Sequence, residues 1–140
     1  MRKIVIAIDG PAGAGKSSTA KLVAQKLGYI HIDTGAMYRA ITSRVLEEGV
    51  SLGATERIAV LAERSEIRLK TSQDSTKVLV DGRDVTDEVR SGKVTKAVSS
   101  VSSIQRVRDV LVREQRKMAA KGGVVLEGRD IGTGVLPDAD

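Results

Sequence analysis

Aromatic residues are almost missing from this chain. Its 140 residues hold two tyrosines, Tyr29 and Tyr38, and neither phenylalanine nor tryptophan. Its core must therefore be aliphatic, built from Val, Ile, Leu and Ala. The same scarcity argues against a single-strand nucleic-acid binder, which stacks bases on aromatic faces. Cysteine is absent, which excludes disulfides and thiolate metal sites and is neutral about compartment. No apolar run approaches the roughly 18 residues of a membrane-spanning helix. The chain enters a strand-like run directly, with no secretory core ahead of it. Together these absences favour a cytoplasmic protein, with neither membrane nor nucleic acid as a partner.

What is present is ordinary in amount and specific in arrangement. Hydrophobic residues make up 41% of the chain, and the length suits one domain with a small insert. The net charge is +5, from 23 Lys+Arg against 18 Asp+Glu. These basic residues are scattered along the sequence. Several arginines converging on small phosphorylated ligands account for the charge as well as a nucleic acid would.

The chain's organising stretch is Gly10-Pro11-Ala12-Gly13-Ala14-Gly15-Lys16-Ser17-Ser18. It fits the phosphate-loop pattern G-x-x-x-x-G-K-[ST]. The apolar run Lys3-Ile4-Val5-Ile6-Ala7-Ile8 before it reads as a buried strand. From Lys16 to Leu27 the pattern is helical, and Gly28 closes it as a C-terminal cap. The three glycines let backbone N–H groups point inward around a phosphate. The helix opening near Gly15 adds unpaired N–H groups and the positive end of its dipole. That dipole contributes only about 0.3–1 kcal/mol, or about 2 when partly buried. Charge-assisted hydrogen bonds of roughly 1.5–3 kcal/mol each must supply much of the grip. In such a loop Lys16 reaches the β- and γ-phosphates and the Ser17 hydroxyl binds Mg²⁺. The plain alternative, a glycine-rich turn with an accidental lysine, is opposed by the strand and helix on either side. The motif implies a nucleoside triphosphate and leaves the reaction open.

Downstream, Tyr29-Ile30-His31-Ile32 reads as a short strand. Asp33 or Thr34 can cap a helix over residues 36–48 that stops at Gly49. The expected class is thus α/β, with a parallel sheet flanked by helices. A helix follows over 54–64. Then Glu66-Ile67-Arg68-Leu69-Lys70 alternates with period two, Ser72-Gln73-Asp74-Ser75 is a turn, and Lys77-Val78-Leu79-Val80-Asp81 returns. Asp81-Gly82-Arg83-Asp84 reads as a further turn. Residues 65–92 form a small antiparallel insert, as readily a decoration as the wall of a substrate pocket. Helices are expected over 93–101 and 104–121. The second has Val107, Val110, Leu111 and Met118 on one face and Arg106, Arg108, Arg113, Arg116 and Lys117 on the other, a solvated face by default. Gly122-Gly123 ends it, and Val124-Val125-Leu126 is a third parallel strand. It leads into Glu127-Gly128-Arg129-Asp130 at the carboxyl edge of the sheet, where open α/β sheets bind ligands. His31, the sole histidine, suits a structural role better than a catalytic one.

Four segments together go beyond a generic phosphate loop. Residues 10–18, Asp33-Thr34-Gly35-Ala36-Met37-Tyr38-Arg39, Arg106-Val107-Arg108 and Glu127-Gly128-Arg129-Asp130-Ile131-Gly132-Thr133 resemble the bacterial cytidylate kinases, the (d)CMP kinases of the nucleoside monophosphate kinase family. The likeness covers the whole chain, and its second and fourth segments are more specific than the loop. It implies a P-loop fold, with the 65–92 insert as part of an enlarged monophosphate-binding region. It also implies the reaction ATP + (d)CMP → ADP + (d)CDP with Mg²⁺, in pyrimidine nucleotide metabolism. Carried over by position, residues 10–18 hold the ATP phosphates, with Ser17 on the metal. Thr34, Arg39, Ser99, Arg108, Arg129 and Asp130 face the CMP: Ser99 and Asp130 towards the cytosine, Arg108 and Arg129 on the phosphate side. Lys16, Arg39 and Arg129 would carry the transfer. Thr34 stands where the family often has serine, so its hydroxyl is kept and a methyl added.

Chains of this family continue past Asp140 through a fourth strand, an arginine-bearing lid, further CMP- and adenine-side residues and a fifth strand. The expectation is a chain incomplete at its C-terminus with little kinase activity alone. In the family's sheet order, 2-3-1-4-5, the third strand lies between the first two and the fourth pairs with the first, so its loss would open an apolar edge prone to self-association in an otherwise monomeric family. Two other readings stay open: another small P-loop kinase, and a non-catalytic nucleotide-binding module.

Overall fold

A strand, a helix and a second strand open the structure as the sequence leads one to expect. In the computed structural model, which describes residues 4–10, 16–71 and 76–128, β1 (Val5–Asp9) precedes α1 (Lys16–Leu27) and β2 (Ile30–Asp33). Gly28 ends α1 at φ +67°, a left-handed conformation that costs glycine little. Its amide donates to the Gln25 carbonyl at 3.3 Å, and the Tyr29 amide donates to Ala24 at 2.8 Å. This bond pair closes the last turn of the helix. Gly49 and Val50 repeat it on Leu46 and Val45, at 3.2 and 3.1 Å, at the end of α2 (Thr34–Glu47).

The later elements are α3 (Thr55–Arg64), β3 (Ile67–Thr71), β4 (Thr76–Val80), β5 (Arg83–Asp84), a short 3₁₀ turn (Glu88–Arg90), α4 (Gly92–Ser102), α5 (Gln105–Ala119) and β6 (Val124–Gly128). They belong to two compact units. One comprises residues 1–35 and 112–140, the other residues 36–111.

The first unit holds a parallel sheet in the order β1-β6-β2. The last strand in sequence is therefore the middle one. Val124 pairs with Val5 on one side and Ile30 on the other. All five β6 residues are buried, which explains the unbroken Val-Val-Leu run of a strand covered on both faces. Ala20 and Ala24 of α1 pack on Val125, with Ile6, Ile8, Val23 and Tyr29 around them. The Tyr29 hydroxyl accepts a hydrogen bond from the Ile4 amide at 3.0 Å. Two alanines on the helix face let α1 approach the sheet closely, with Tyr29 beside them.

The second unit holds an antiparallel sheet in the order β3-β4-β5. β3 and β4 form the expected hairpin, with Ile67 opposite Val80. The turn expected over residues 81–84 is partly a strand: Arg83 pairs with Val80 and Asp84 with Leu79. Only Asp81 and Gly82 make the bend, at φ 51° and 83°. Positive φ at both central residues is the two-residue hairpin geometry for which Asp-Gly is suited. The expected β insert thus has three strands and sits inside a larger unit that includes α3 and α4. The core of the unit is aliphatic, with Met37, Ile41, Val45, Ile58, Val101, Val107 and Leu111 all fully buried.

Candidate functional site

The phosphate loop bridges β1 and α1. The Gly10 amide donates to the Gly128 carbonyl at 3.2 Å, so the start of the loop is stitched to the end of β6. α1 begins at Lys16, which puts the unpaired N–H groups of a helix N-terminus where the motif needs them. Pro11, Ala12, Gly13, Ala14 and Gly15 lie outside the described residues, as do the side chains of Lys16 and Ser17. Ser18 is exposed in the first turn of α1. Arg129 and Asp130 also lie outside the described residues.

β2 runs into α2 without a loop, and Thr34 is the first helical residue. Of the two expected capping residues, Thr34 is thus already inside the helix. It is 4% exposed, and its hydroxyl donates to the Glu127 carbonyl at 2.8 Å. Asp33 is left at the capping position. Its carboxylate lies 3.1 Å from where a side chain on Gly35 would begin, so glycine leaves it room.

The remaining expected substrate residues belong to the second unit. Arg39 donates from Nη1 to the Val89 carbonyl at 3.3 Å. Arg108 is exposed on α5 and donates from Nη2 to Gln105 Oε1 at 2.6 Å. Ser99 is exposed on α4, and its carbonyl accepts the Ser102 hydroxyl at 3.3 Å. Tyr38, beside Arg39 in sequence, is partly buried. Burial pushes its phenol above the usual tyrosine value, the Arg108 charge pulls it down, and Asp109 pushes it up again. Tyr38, Arg108 and Asp109 are therefore neighbours.

Sequence reasoning missed one constellation. His31 and Glu127 are 3% and 2% exposed, and His31 Nε2 lies 3.0 Å from Glu127 Oε1. The register sets His31 against Val125 and Asp33 against Glu127. Alternation then places His31 and Glu127 diagonally on one face of the sheet, the face on which Val125 packs against α1. Glu127 is the one charged residue of β6, and His31 stands between two isoleucines of β2. That signal is readable, yet only the pairing of β2 with β6 shows that they meet. Glu127 Oε2 is buried without a hydrogen-bond partner among the described residues. Such an acceptor costs about 1–3 kcal/mol, and buried ion pairs often cost more to desolvate than they return.

Two adjacent residues of β6 thus hold both neighbouring turns. Glu127 takes the Thr34 hydroxyl, and Gly128 takes the Gly10 amide. Both ties lie at the carboxyl edge of a parallel sheet, where ligands of open α/β folds bind. Two helix N-termini start there, suited to two anionic groups. Among the described residues no cluster of three or more His, Cys, Asp or Glu side chains can hold a metal ion. Nor is any described helix long and apolar enough to cross a membrane.

Comparison with known proteins agrees with this geometry. The cytidylate kinase family model matches residues 6–140. The cytidylate kinase of Bacillus subtilis (strain 168) is 51% identical over 139 residues, covering 99% of this chain and 62% of the relative. That of Caldicellulosiruptor saccharolyticus is 52% identical over 140 residues, covering 100% and 62%. That of Caldanaerobacter subterraneus subsp. tengcongensis is 54% identical over 136 residues, covering 97% and 59%. The chain spans about 60% of the length of these curated relatives. With the match running from the first strand through the phosphate loop, the insert and the β6 motif, the chain belongs to the cytidylate kinase family.

Proposed function

We propose that this chain carries the phosphoryl-transfer site of a (d)CMP kinase, which moves the γ-phosphoryl group of ATP to CMP or dCMP with Mg²⁺ and yields ADP and (d)CDP. The family match over residues 6–140 carries the reading. The ties of Gly10 and Thr34 to adjacent residues of β6 support it. Phosphoryl transfer leaves little covalent work for side chains; it needs two phosphates held in line with their charge neutralised. In this reading residues 10–18 wrap the ATP phosphates, Lys16 bridges the β- and γ-oxygens, and the Ser17 hydroxyl holds Mg²⁺. When bound, the metal would neutralise charge on the β- and γ-phosphates. Thr34, Arg39, Ser99, Arg108, Arg129 and Asp130 hold the CMP, and Arg39 and Arg129 balance charge as the phosphoryl group moves. The acceptor is already a phosphate, so no strong general base is required.

The test is CDP formation from CMP and Mg-ATP by the purified chain, with CMP, dCMP, UMP and AMP ranked as acceptors and Lys16→Ala as control. CMP and dCMP should rank first. Turnover should fall by about 10²–10³-fold in the control, the usual cost of removing one preorganised electrostatic group. AMP ranking first would replace this reading with another small P-loop kinase. Nucleotide binding without turnover would make the chain a binding module.

A further inference from the structure

We propose that His31 and Glu127 are positioning residues of the nucleotide site: their buried pair holds the end of β6 in the register that fixes Thr34 and Gly10 together. The inference rests on the function proposed above for the meaning of those two anchors. Three bonds and the pairing of β6 carry it, all within the first unit. His31 Nε2 meets Glu127 Oε1 at 3.0 Å. The Glu127 carbonyl accepts the Thr34 hydroxyl at 2.8 Å. The next carbonyl, that of Gly128, accepts the Gly10 amide at 3.2 Å. β6 itself is bonded on both edges, to β1 and β2.

The chain direction explains why a side-chain pair is needed there. Parallel ladder bonds fix β6 sideways against its neighbours. Its last peptide groups are held only by single bonds, the Gly10 amide on the β1 side and the Thr34 hydroxyl on the β2 side, because the ladder ends at Asp9–Gly128 and Asp33–Glu127. The carbonyls of Glu127 and Gly128 must nevertheless point in opposite directions, one towards Thr34 and one towards Gly10. Anchoring the Glu127 side chain to His31, on the neighbouring strand, removes the rotation that would move both carbonyls. One pair thereby sets both nucleotide-facing turns. An apolar pair of similar volume would fill the same space without controlling that rotation.

Three variants of the full chain test this: His31→Leu, His31→Gln and Glu127→Gln. Each is measured well below its own melting temperature. The readouts are ATP and CMP affinity by calorimetry and deuterium exchange at the Gly10 amide. His31→Leu should weaken both nucleotides by about tenfold, the scale of one lost hydrogen bond to a charged group. It should also speed Gly10 exchange by a similar factor. His31→Gln keeps an N–H donor of comparable reach and should restore most of both. Glu127→Gln keeps the acceptor and should fall between. If His31→Leu merely melts earlier, with affinities and Gly10 exchange unchanged, the pair is only structural and the proposal fails. If the unaltered chain binds neither nucleotide, the functional reading falls, and Gly10 exchange alone still decides whether the pair sets the loop.

Discussion

The two units differ in where their charge-bearing pairs lie. The first buries His31 against Glu127, with Thr34 and Gln115 also at most 4% exposed, although its Lys117–Glu114 pair is on the surface. The second places its ionic pairs on the surface. Arg44 pairs with Glu48 at 3.0 Å, Arg83 with Glu47, and Arg106 reaches Glu56 at 2.6 Å and Glu63 at 2.7 Å, joining α5 to α3. Its buried Thr42 returns its hydroxyl to the Tyr38 carbonyl within its own helix. Exposed pairs are screened and contribute little, so they can be distributed freely. Buried ones are costly and persist where geometry matters more than stability. The contrast therefore sets the carboxyl end of β6, where buried polar groups meet, apart from the second unit, whose ion pairs lie on its surface.

The largest expected effect comes from breaking the buried pair on one side. Glu127→Leu alone should cost up to about 3–5 kcal/mol in chemical denaturation, because it removes one member of a buried hydrogen-bonded pair. Adding His31→Leu should recover most of that loss and none of the nucleotide affinity. Full recovery of both would erase the distinction between the units. In the second unit the large costs should come from apolar truncation. Ile41, fully buried, should lose about 2–5 kcal/mol as Ile41→Ala, with the cavity left behind setting the value. Arg106→Gln should do far less. Its guanidinium is held above its ordinary pKa by hydrogen bonds to Glu56 and Glu63, but the group is exposed. Its effect on melting should shrink further at about 1 M salt; a large, salt-insensitive loss would place it among the buried groups instead.

The smallest effect is a pH-dependent one. Asp84 is held below the usual aspartate value by the Thr86 hydroxyl and then by the Thr86 amide, at 2.5 and 2.9 Å. A depressed carboxyl stabilises the fold above its unfolded pKa, and that stabilisation is lost as pH falls through the lower folded value. Thr86→Val should therefore melt slightly earlier than the unaltered chain at neutral pH. The two melting curves should draw closer as the solution is acidified through and below the aspartate range, leaving the part due to the Val78 amide, which donates to the Thr86 hydroxyl at 3.0 Å and does not titrate. A difference that does not narrow in acid would show that the hydroxyl acts through that bond and through packing alone.

Much of this was legible in advance, and the reason is locality. The strand–loop–helix around residues 10–18, the stops at Gly28 and Gly49, the amphipathic α5 and the β3–β4 hairpin each follow from residues within one or two turns of each other. The short β5 was read as turn because two residues carry no periodicity. Thr34 was read as a possible cap because the sequence shows a hydroxyl before a helix and not the strand beside it.

By itself the sequence determined the elements, the aliphatic core, the phosphate loop and the family. Those depend on spacing along the chain, on dihedral preference and on motifs of a few residues. Residue spacing alone does not place β6 between β1 and β2; the family resemblance implied that order, and the tertiary structure bears it out and sets the register. That order brings Glu127 to His31, 96 residues away, and to Thr34, 93 residues away. Strand order and register are settled by non-local pairing, and shifting a strand by one residue turns every side chain to the other face. A glutamate that reads in sequence as one letter of a motif is, in the fold, the buried junction of two strands and a helix.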